Sequence, residues 1–542
     1  MNNLDIKRLD HHGIVAGVFD NLGFQAMLDE FIGFDDQEGI TPGQAVKALV
    51  IAGMGFANTP LMLTPRFFEN LPVDRLVGEG VTADMLNRHK FGRVLDRIHQ
   101  KGCSAVFSLL AAKACSQEHV DCRVRSLDST SFCVTGEYDE ATDTNAIELC
   151  HGHSKDHRPD LKQMVTELVV SQDGGIPVEL ACHDGNKADT EIFKARTKHL
   201  VDTIASSEPL RAWVADSKLY THANAKSLAQ LPFVTRIPRT IAAENQVVEK
   251  TLATYNDWNP LPGMEGYRYQ KHVLTHYGIA QRWLVVCSDS SKIRSESTIR
   301  KAVQREREKL DKALAKFQKQ TFSCKDDGEK DIKKLLKGIK YHHIEAVRWE
   351  EIKKFDGRGR PPATKAPSVT GWQGSAQIRH LDKAIDHDIE VKACFTIGTS
   401  IPEDQMNDQE VIQTYKGQAA VEGGFRFLKD PIFFTSSFFL KKTSRIEALL
   451  TVMAIALLVY SIAQRRLRAN MERLKETIPN QIGSPSSSPT LRWVFQSFTG
   501  VNVVRTDNDT LLHGVTPLRE RIIRLFEYKP LEAIYQITGA GG

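Results

Sequence analysis

No two cysteines of this sequence stand in a C-x-x-C pair. The nine are scattered singly, which excludes a disulfide framework or a zinc ribbon as the organising device and fits a reducing, cytoplasmic setting. A hydrophobic run behind a charged N-terminus is also missing, because no apolar stretch follows Met1 to Asp10, so no secretory signal is read there. The most apolar stretch, Ala448 to Tyr460, is shorter than the roughly 18 to 20 residues of a spanning helix. A buried core helix is expected in its place, and no membrane partner. An excess of one charge is lacking too: 71 Lys and Arg stand against 67 Asp and Glu, a net charge of +4. Any surface for nucleic acid must therefore be local.

What is present is an ordinary folded composition, 41% hydrophobic and 25% charged over 542 residues, long enough for two to four domains. The first stretch, residues 1–117, reads as helical. Thr41-Pro42 and Thr64-Pro65 offer threonine caps with proline in the first turn, and Phe91, Val94, Leu95 and Ile98 repeat at helical spacing. Such a domain either binds DNA or only packs on its neighbour. From Cys122 the pattern changes to β-type runs: Cys122 to Asp128, Gln163 to Val170, Ile176 to Cys182, then a helical span from Lys187 to Ile204, then Ala212 to Ala215. The order is β-β-β-α-β, with Gln172-Asp173-Gly174-Gly175 as a hairpin turn and a further run from Pro232 to Ile237.

Residues 238–392 read as an α+β unit. Strands are expected at Tyr267 to Leu274 and Arg282 to Val286, followed by a charged helix from Glu296 to Gln320 with one apolar seam, Ile299, Val303, Leu310, Leu314 and Phe317. That helix is either a solvated arm or a DNA clamp. Gly357 to Pro362 is a basic loop, and Ser484 to Pro489 is a Pro/Ser linker before a helical C-terminal segment, 484–542.

Acids carry the chemistry. Two Mg²⁺ ions about 3.5 to 4 Å apart can run phosphodiester cleavage with no covalent enzyme intermediate, one serving the nucleophile and the other the leaving oxygen. Such hard cations need carboxylates, which distant parts of a chain can supply. Asp128 lies in the first β run, where an isolated carboxylate is costly unless satisfied. Asp216 ends the run Ala212 to Ala215, at a strand end where ligands of α/β sheets sit, with Asp184 and Asp189 as competitors for its role. On a single helix of about 100° per residue, Tyr415, Gln418, Glu422, Arg426 and Lys429 share roughly an 80° arc, bordered by Phe425 and Leu428. Gly423-Gly424 weakens that helix but permits close approach of a strand or a nucleic-acid backbone. Cys150, His151, His153 and His157 are of zinc-ligand type; they are read instead as part of a stretch entering the second strand beside the acids.

Tyr415, Gln418, Glu422 and Lys429 have the spacing of the tyrosine-arginine-glutamate-lysine signature, with Gln418 in the arginine's place. With Leu127 to Phe132, Gly152 to Gln163, Val214 to Asp216, Thr41 to Leu49 and Phe425 to Pro431, the chain resembles the bacterial insertion-sequence transposases with a D-D-E triad. The resemblance implies a ribonuclease-H-like mixed sheet flanked by helices, split into residues 118–237 and 393–483 by the insertion. It implies Asp128, Asp216 and Glu422 as catalytic acids holding two Mg²⁺ or Mn²⁺ ions, and Tyr415, Gln418, Arg426 and Lys429 as DNA contacts. Its expected partners are double-stranded DNA, as terminal inverted repeats and target, and a second copy of the chain in a synaptic complex. A metal-dependent nuclease without strand transfer, or a decayed DNA-binding protein, are the rival expectations.

Overall fold

In the computed structural model, which describes residues 4–34, 38–55, 63–138, 146–203, 209–254, 257–355, 366–430, 440–507 and 509–537, the first β run extends past Asp128 as Val124–Val134 (β1). Lys162–Ser171 (β2) and Pro177–His183 (β3) follow it as an antiparallel meander. Their turn uses Gly174 and Gly175 at φ of 82° and 66°, backbone that a side chain disfavours. β2 is buried along nearly its whole length, which is why it reads as an apolar run and not as an alternation. After the helix Asp189–Thr203 (α1), Ala212–Ala215 (β4) lies parallel to β1, and Phe233–Arg236 (β5) lies parallel to β4. The order β3-β2-β1-β4-β5, three strands antiparallel and two parallel, is the ribonuclease-H-like sheet expected from the sequence.

The sheet continues beyond β5. In the span 238–392, Tyr267–His276 (β6) and Ile279–Ser288 (β7) form a hairpin, followed by the long helix Asp289–Phe317 (α2) and, later, Asp382–Ala393 (α3). Cys394–Thr399 (β8) then pairs antiparallel with β5 on one side and β7 on the other. A nine-stranded sheet results, closed at its far edge by the two-residue strand Asn259–Pro260. Part of this span therefore prolongs the catalytic sheet. The remainder packs on itself, with the seam of α2 buried as expected and Leu310, Leu314 and Phe317 sharing a small core with Ile332 and Ile378. The basic loop 357–362 lies outside the described residues.

The third acid sits on a broken helix. Asp408–Lys416 (α4) and Ala419–Lys429 (α5) are separate, so the single helix drawn through Tyr415 and Lys429 does not exist. The junction is tightened by i→i−3 hydrogen bonds, Gln418 N–H to Tyr415 O and Val421 N–H to Gln418 O, which advance the chain by a wider angle per residue than an α-helix does. Gln172 explains the place of the break. Its amide donates to Ser126 Oγ and to Thr414 O, both at 2.8 Å, and a Cβ on Gly417 would stand 2.3 Å from its Oε1. A side chain at 417 would have to push the end of the Gln172 side chain aside, and these two hydrogen bonds with it.

Behind α5 runs Thr443–Leu474 (α6), 32 residues long and apolar enough to cross a membrane, with 89% of its most apolar window buried inside the protein. The Ala448 to Tyr460 stretch is thus a core helix. Around it pack the N-terminal helices Pro42–Gly53, Arg88–Lys101 and Cys103–Gln117, and one apolar core runs from Leu9 through Leu457 to Tyr535. Thr41 caps the first of these helices in a reciprocal capping box with Gln44. Thr64, by contrast, is the first residue of its helix, Thr64–Glu69, and Leu63 stands at the cap position. The Pro/Ser stretch is not a bare linker either, since Pro485–Ser486 pairs with Ile478–Pro479.

The two helical glycines of α5 have opposite surroundings, which resolves what approaches them. A Cβ on Gly424 would meet Leu168 of β2 at 3.0 Å and Leu457 of α6 at 3.3 Å, whereas a Cβ on Gly423 would meet nothing within 4 Å. Gly424→Val is expected to destabilise the fold by about 1 to 3 kcal/mol through overpacking. Gly423→Ala is expected to stabilise it by up to about 1 kcal/mol through helix propensity. Thermal denaturation of the two variants checks the pair; equal effects would contradict this packing.

Candidate active site

Register alone brings two of the predicted acids together. Leu127 pairs with Ala215 across β1 and β4, so the next residues, Asp128 and Asp216, stand side by side one strand spacing apart, about 4.8 Å. They point to the same face as Val214 and Val234, which belong to the apolar cluster beneath α4. Each carboxylate is fixed by its own chain: Ser129 N–H donates to Asp128 Oδ1 at 2.7 Å, and Lys218 N–H donates to Asp216 Oδ1 at 2.9 Å. Burial dominates their electrostatics. It pushes Asp128 up to about 6, against the pull of Lys155 and with a further push from Asp216 and Asp189. Asp216 is raised for the same first reason.

Asp189, named in the sequence as a competitor, opens α1 within this group without replacing Asp216. It accepts a hydrogen bond from Ser129 Oγ at 2.6 Å, forms an ion pair with Lys218 and lies 3.3 Å from Lys155 Nζ. Burial works to raise its carboxyl, but the Lys218 and Ser129 hydrogen bonds outweigh it and hold it below the ordinary range. Lys155 also donates to the carbonyl and hydroxyl of Ser129. Asp189, Lys155 and Lys218 line a cavity of about 300 Å³ with Ser131, His153 and Lys187. Asp184 plays a different part: its Oδ1 accepts the Glu148 N–H at 2.8 Å.

Glu422 stands exposed on α5, which packs on β1. Tyr415 links it to the other acids: burial raises the phenol first, and the charges of Asp216, Glu422 and Asp128 all push it the same way while Arg236 opposes them. All three acids are thus within electrostatic reach of one hydroxyl. Among the described residues, however, no three His, Cys, Asp or Glu side chains close to ion-binding distance. Of the predicted stripe, Glu422 and Arg426 are exposed on α5, and Lys429 forms an ion pair with Asp156 at 2.7 Å. Tyr415 leaves the stripe because of the break at Gly417; it packs in the apolar cluster beside Phe395. Gln418 stands at the N-terminal flank of α5, and its side chain makes no capping hydrogen bond there. Lys416, at the end of α4 beside the break, lies over the Tyr267 ring at 3.4 Å.

Lys155, Lys218 and Ser129 were not singled out from the sequence as site residues. A signal existed for Lys218, two residues past Asp216, and for Lys155, inside the Gly152 to Gln163 stretch.

A family profile described as a transposase DDE domain matches residues 121–459, and a domain of unknown function (DUF4277) matches residues 4–112. The chain belongs to the DDE transposase family. No curated protein matches it. Among solved structures, the piggyBac transposase synaptic complex with hairpin DNA is similar over 90% of this chain and 79% of that one, at 9% identity and a TM-score of 0.35. That likeness is too slight to carry an argument. As a DDE transposase the chain works with divalent metal ions, and its donor set fits such a group. Two half-buried carboxylates with hard oxygen donors, short of positive charge, are what such a cation needs.

The raised Asp128 carboxyl has a consequence for stability. The folded protein binds this proton more tightly than the unfolded chain, so stability is fully present below pH about 4 and is lost as pH rises through about 6. The loss is on the order of 3 kcal/mol. With a chelator present, Asp128→Asn should therefore be more stable than the unsubstituted transposase at pH 8 and equally stable at pH 4, as read by denaturant titration. An unchanged difference across that range would show that the carboxyl is not buried in this way.

Proposed function

We propose that this transposase cuts DNA at the terminal inverted repeats of its own element and joins the freed 3′-hydroxyl to target DNA, with Asp128, Asp216 and Glu422 holding two Mg²⁺ or Mn²⁺ ions. The observation that carries this reading is the position of Asp128 and Asp216, each one residue past the Leu127–Ala215 pair of adjacent parallel strands, beneath the helix that bears Glu422. Bound divalent ions would supply activation of the attacking oxygen and stabilisation of the leaving one. Water and the 3′-hydroxyl would occupy the same nucleophile position in turn.

The chain's own groups do the rest. Lys155 and Lys218 keep Asp189 charged and anchored, which holds the start of α1 against the strand carrying Asp128. The Tyr415 phenol keeps its proton and can donate a hydrogen bond toward the acids. The spacing Tyr415, Gln418, Glu422, Lys429 supports a place among the insertion-sequence transposases with the tyrosine-arginine-glutamate-lysine signature. Gln418 offers an amide where that signature has a guanidinium. Arg426, exposed one turn beyond Glu422, would take over the phosphate contact. Lys429 would exchange Asp156 for a DNA phosphate when the strand arrives. Pairing of two transposon ends by two copies of the chain follows from the same reading.

Asp128→Asn, Asp216→Asn and Glu422→Gln are each expected to lower cleavage of the element's ends by roughly 10²-fold or more, the scale of losing one stabiliser of a charged transition state. Gel-shift binding of the same ends should persist. Full cleavage by any one variant in Mg²⁺ would remove that residue from the site. Cleavage with no joined product would favour the nuclease reading.

A further inference from the structure

Carried one strand further, the register places a cation beside the acids. Ala215 pairs with Thr235 across β4 and β5, so Asp216 is followed across the sheet by Arg236, and Thr235 Oγ1 donates to Asp216 O at 2.9 Å. Arg236 is exposed, and its charge acts on Tyr415 in opposition to the three acids. It also opens a second cavity, of about 370 Å³, lined by Arg236, Arg239, Arg294 and Lys392 with the hydroxyls of Ser291, Ser295 and Thr298. No acid lines it.

The cavity is built from three elements that the extended sheet brings to one end. β8 is antiparallel to β5, with Ile397 opposite Arg236, so Lys392, just before β8, lies at the same end as Asp216. β7 runs antiparallel to β8, with Cys287 opposite Cys394, so the helix that follows it, α2, begins there too. Ser291, Arg294, Ser295 and Thr298 recur at helical spacing on one face of α2. Arg239 is held in place by the carbonyls of Val391, Lys392 and Cys394 at the end of α3. Arg236 rests over the Phe395 ring at 5.7 Å. The nearby carboxylates are already engaged, Glu244 by Thr396 and Glu390 by Lys292. Among the described residues none of the four cations is ion-paired with an acid, in a chain whose net charge is only +4.

We propose that this cavity holds a backbone phosphate of the DNA strand that passes the carboxylates. The inference rests on the reading of the chain as a DNA transposase. Four donors with fixed positive charge and three hydroxyls match an anionic oxygen cluster, and guanidinium groups suit phosphate geometry. The cavity opens at Arg236, one strand from Asp216, and runs under β8 and β7, one and two strands farther, so it spans about 5 to 14 Å from the acid at 4.8 Å per strand. At about 3.4 Å of axis per nucleotide along one strand, the phosphate held is about two to four nucleotides from the one at the acids. It positions the strand and takes no part in the chemistry.

The test compares the full-length protein with the double variant Arg294→Ala, Lys392→Ala, both exposed side chains, and with a control, Arg300→Ala, Lys301→Ala, farther along the same helix. Binding to a duplex carrying the element's end is measured against salt, and single-phosphate ethylation interference is mapped on the same duplex. The cavity variant should lose about one to two from the slope of log affinity against log salt. It should also no longer respond to ethylation at one or two adjacent phosphates near the cleavage position, where the unsubstituted protein and the control do. An unchanged interference map in the cavity variant, or the same change in the control, overturns the proposal. If the unsubstituted protein binds no such duplex at all, the transposase reading itself falls, and this site with it.

Discussion

Two carboxylates held side by side, Asp128 within β1 and Asp216 just past the end of the parallel β4, set the terms for everything near them. At about 5 Å and an effective dielectric of 20, two such charges repel by about 3 kcal/mol, before the cost of taking either out of water. The raised Asp128 and Asp216 carboxyls express that cost. Lys155 eases it without pairing directly with either acid, because its ammonium is spent on Ser129 and Asp189. Asp189 in turn is saturated by two lysines and a hydroxyl. The site therefore keeps a local deficit of positive charge where Asp128 and Asp216 meet, which suits the hard cations proposed to bind there.

Holding such an arrangement requires a rigid support, and α6 is the element that supplies it. A helix of 32 residues buried on nearly all sides ties the N-terminal helices and the C-terminal segment into one apolar core, and it meets α5 at Gly424. The N-terminal strand Asp5–Arg8 even pairs with Asn502–Arg505, so both ends of the chain close over the same body. A shift in this core would move Glu422 relative to β1, because α5 lies between the two with no spare volume at Gly424. The helical N-terminal region is thus part of the mechanical frame of the site, whatever else it binds.

The strands were legible because burial imposes its own pattern: β4 appears at the bounds read from Ala212 to Ala215, and the seam of α2 is buried residue for residue. The acids on β1 and β4 were legible as types, since a carboxylate amid apolar strand residues demands a partner. What failed to show was whatever depended on contacts between distant segments. The break between α4 and α5 is fixed by Gln172, more than two hundred residues earlier in the chain, and helical periodicity carries no trace of it. Thr64 followed a sound capping rule, yet its helix begins one residue sooner. Lys155 and Lys218 carry no periodic signal, and only the fold shows that both converge on Asp189.

The extension of the sheet through β8, β7 and β6 has an effect beyond adding area. A ribonuclease-H-like core ends at β5, where an edge strand would present unpaired backbone groups to solvent. Here β8 covers that edge, and because it pairs with both β5 and β7 it fixes where α2 begins and where α3 ends. Two elements far apart in sequence are thereby anchored to the same end of the sheet as Asp128 and Asp216. A chain of nearly balanced charge can then gather cations along the one edge where the acids lie without becoming basic overall. Acids that repel phosphate and cations that attract it must sit close together in any enzyme of this kind. The continuous hydrogen-bonded sheet keeps them in fixed order, Asp128, Asp216, Arg236, at one strand spacing each.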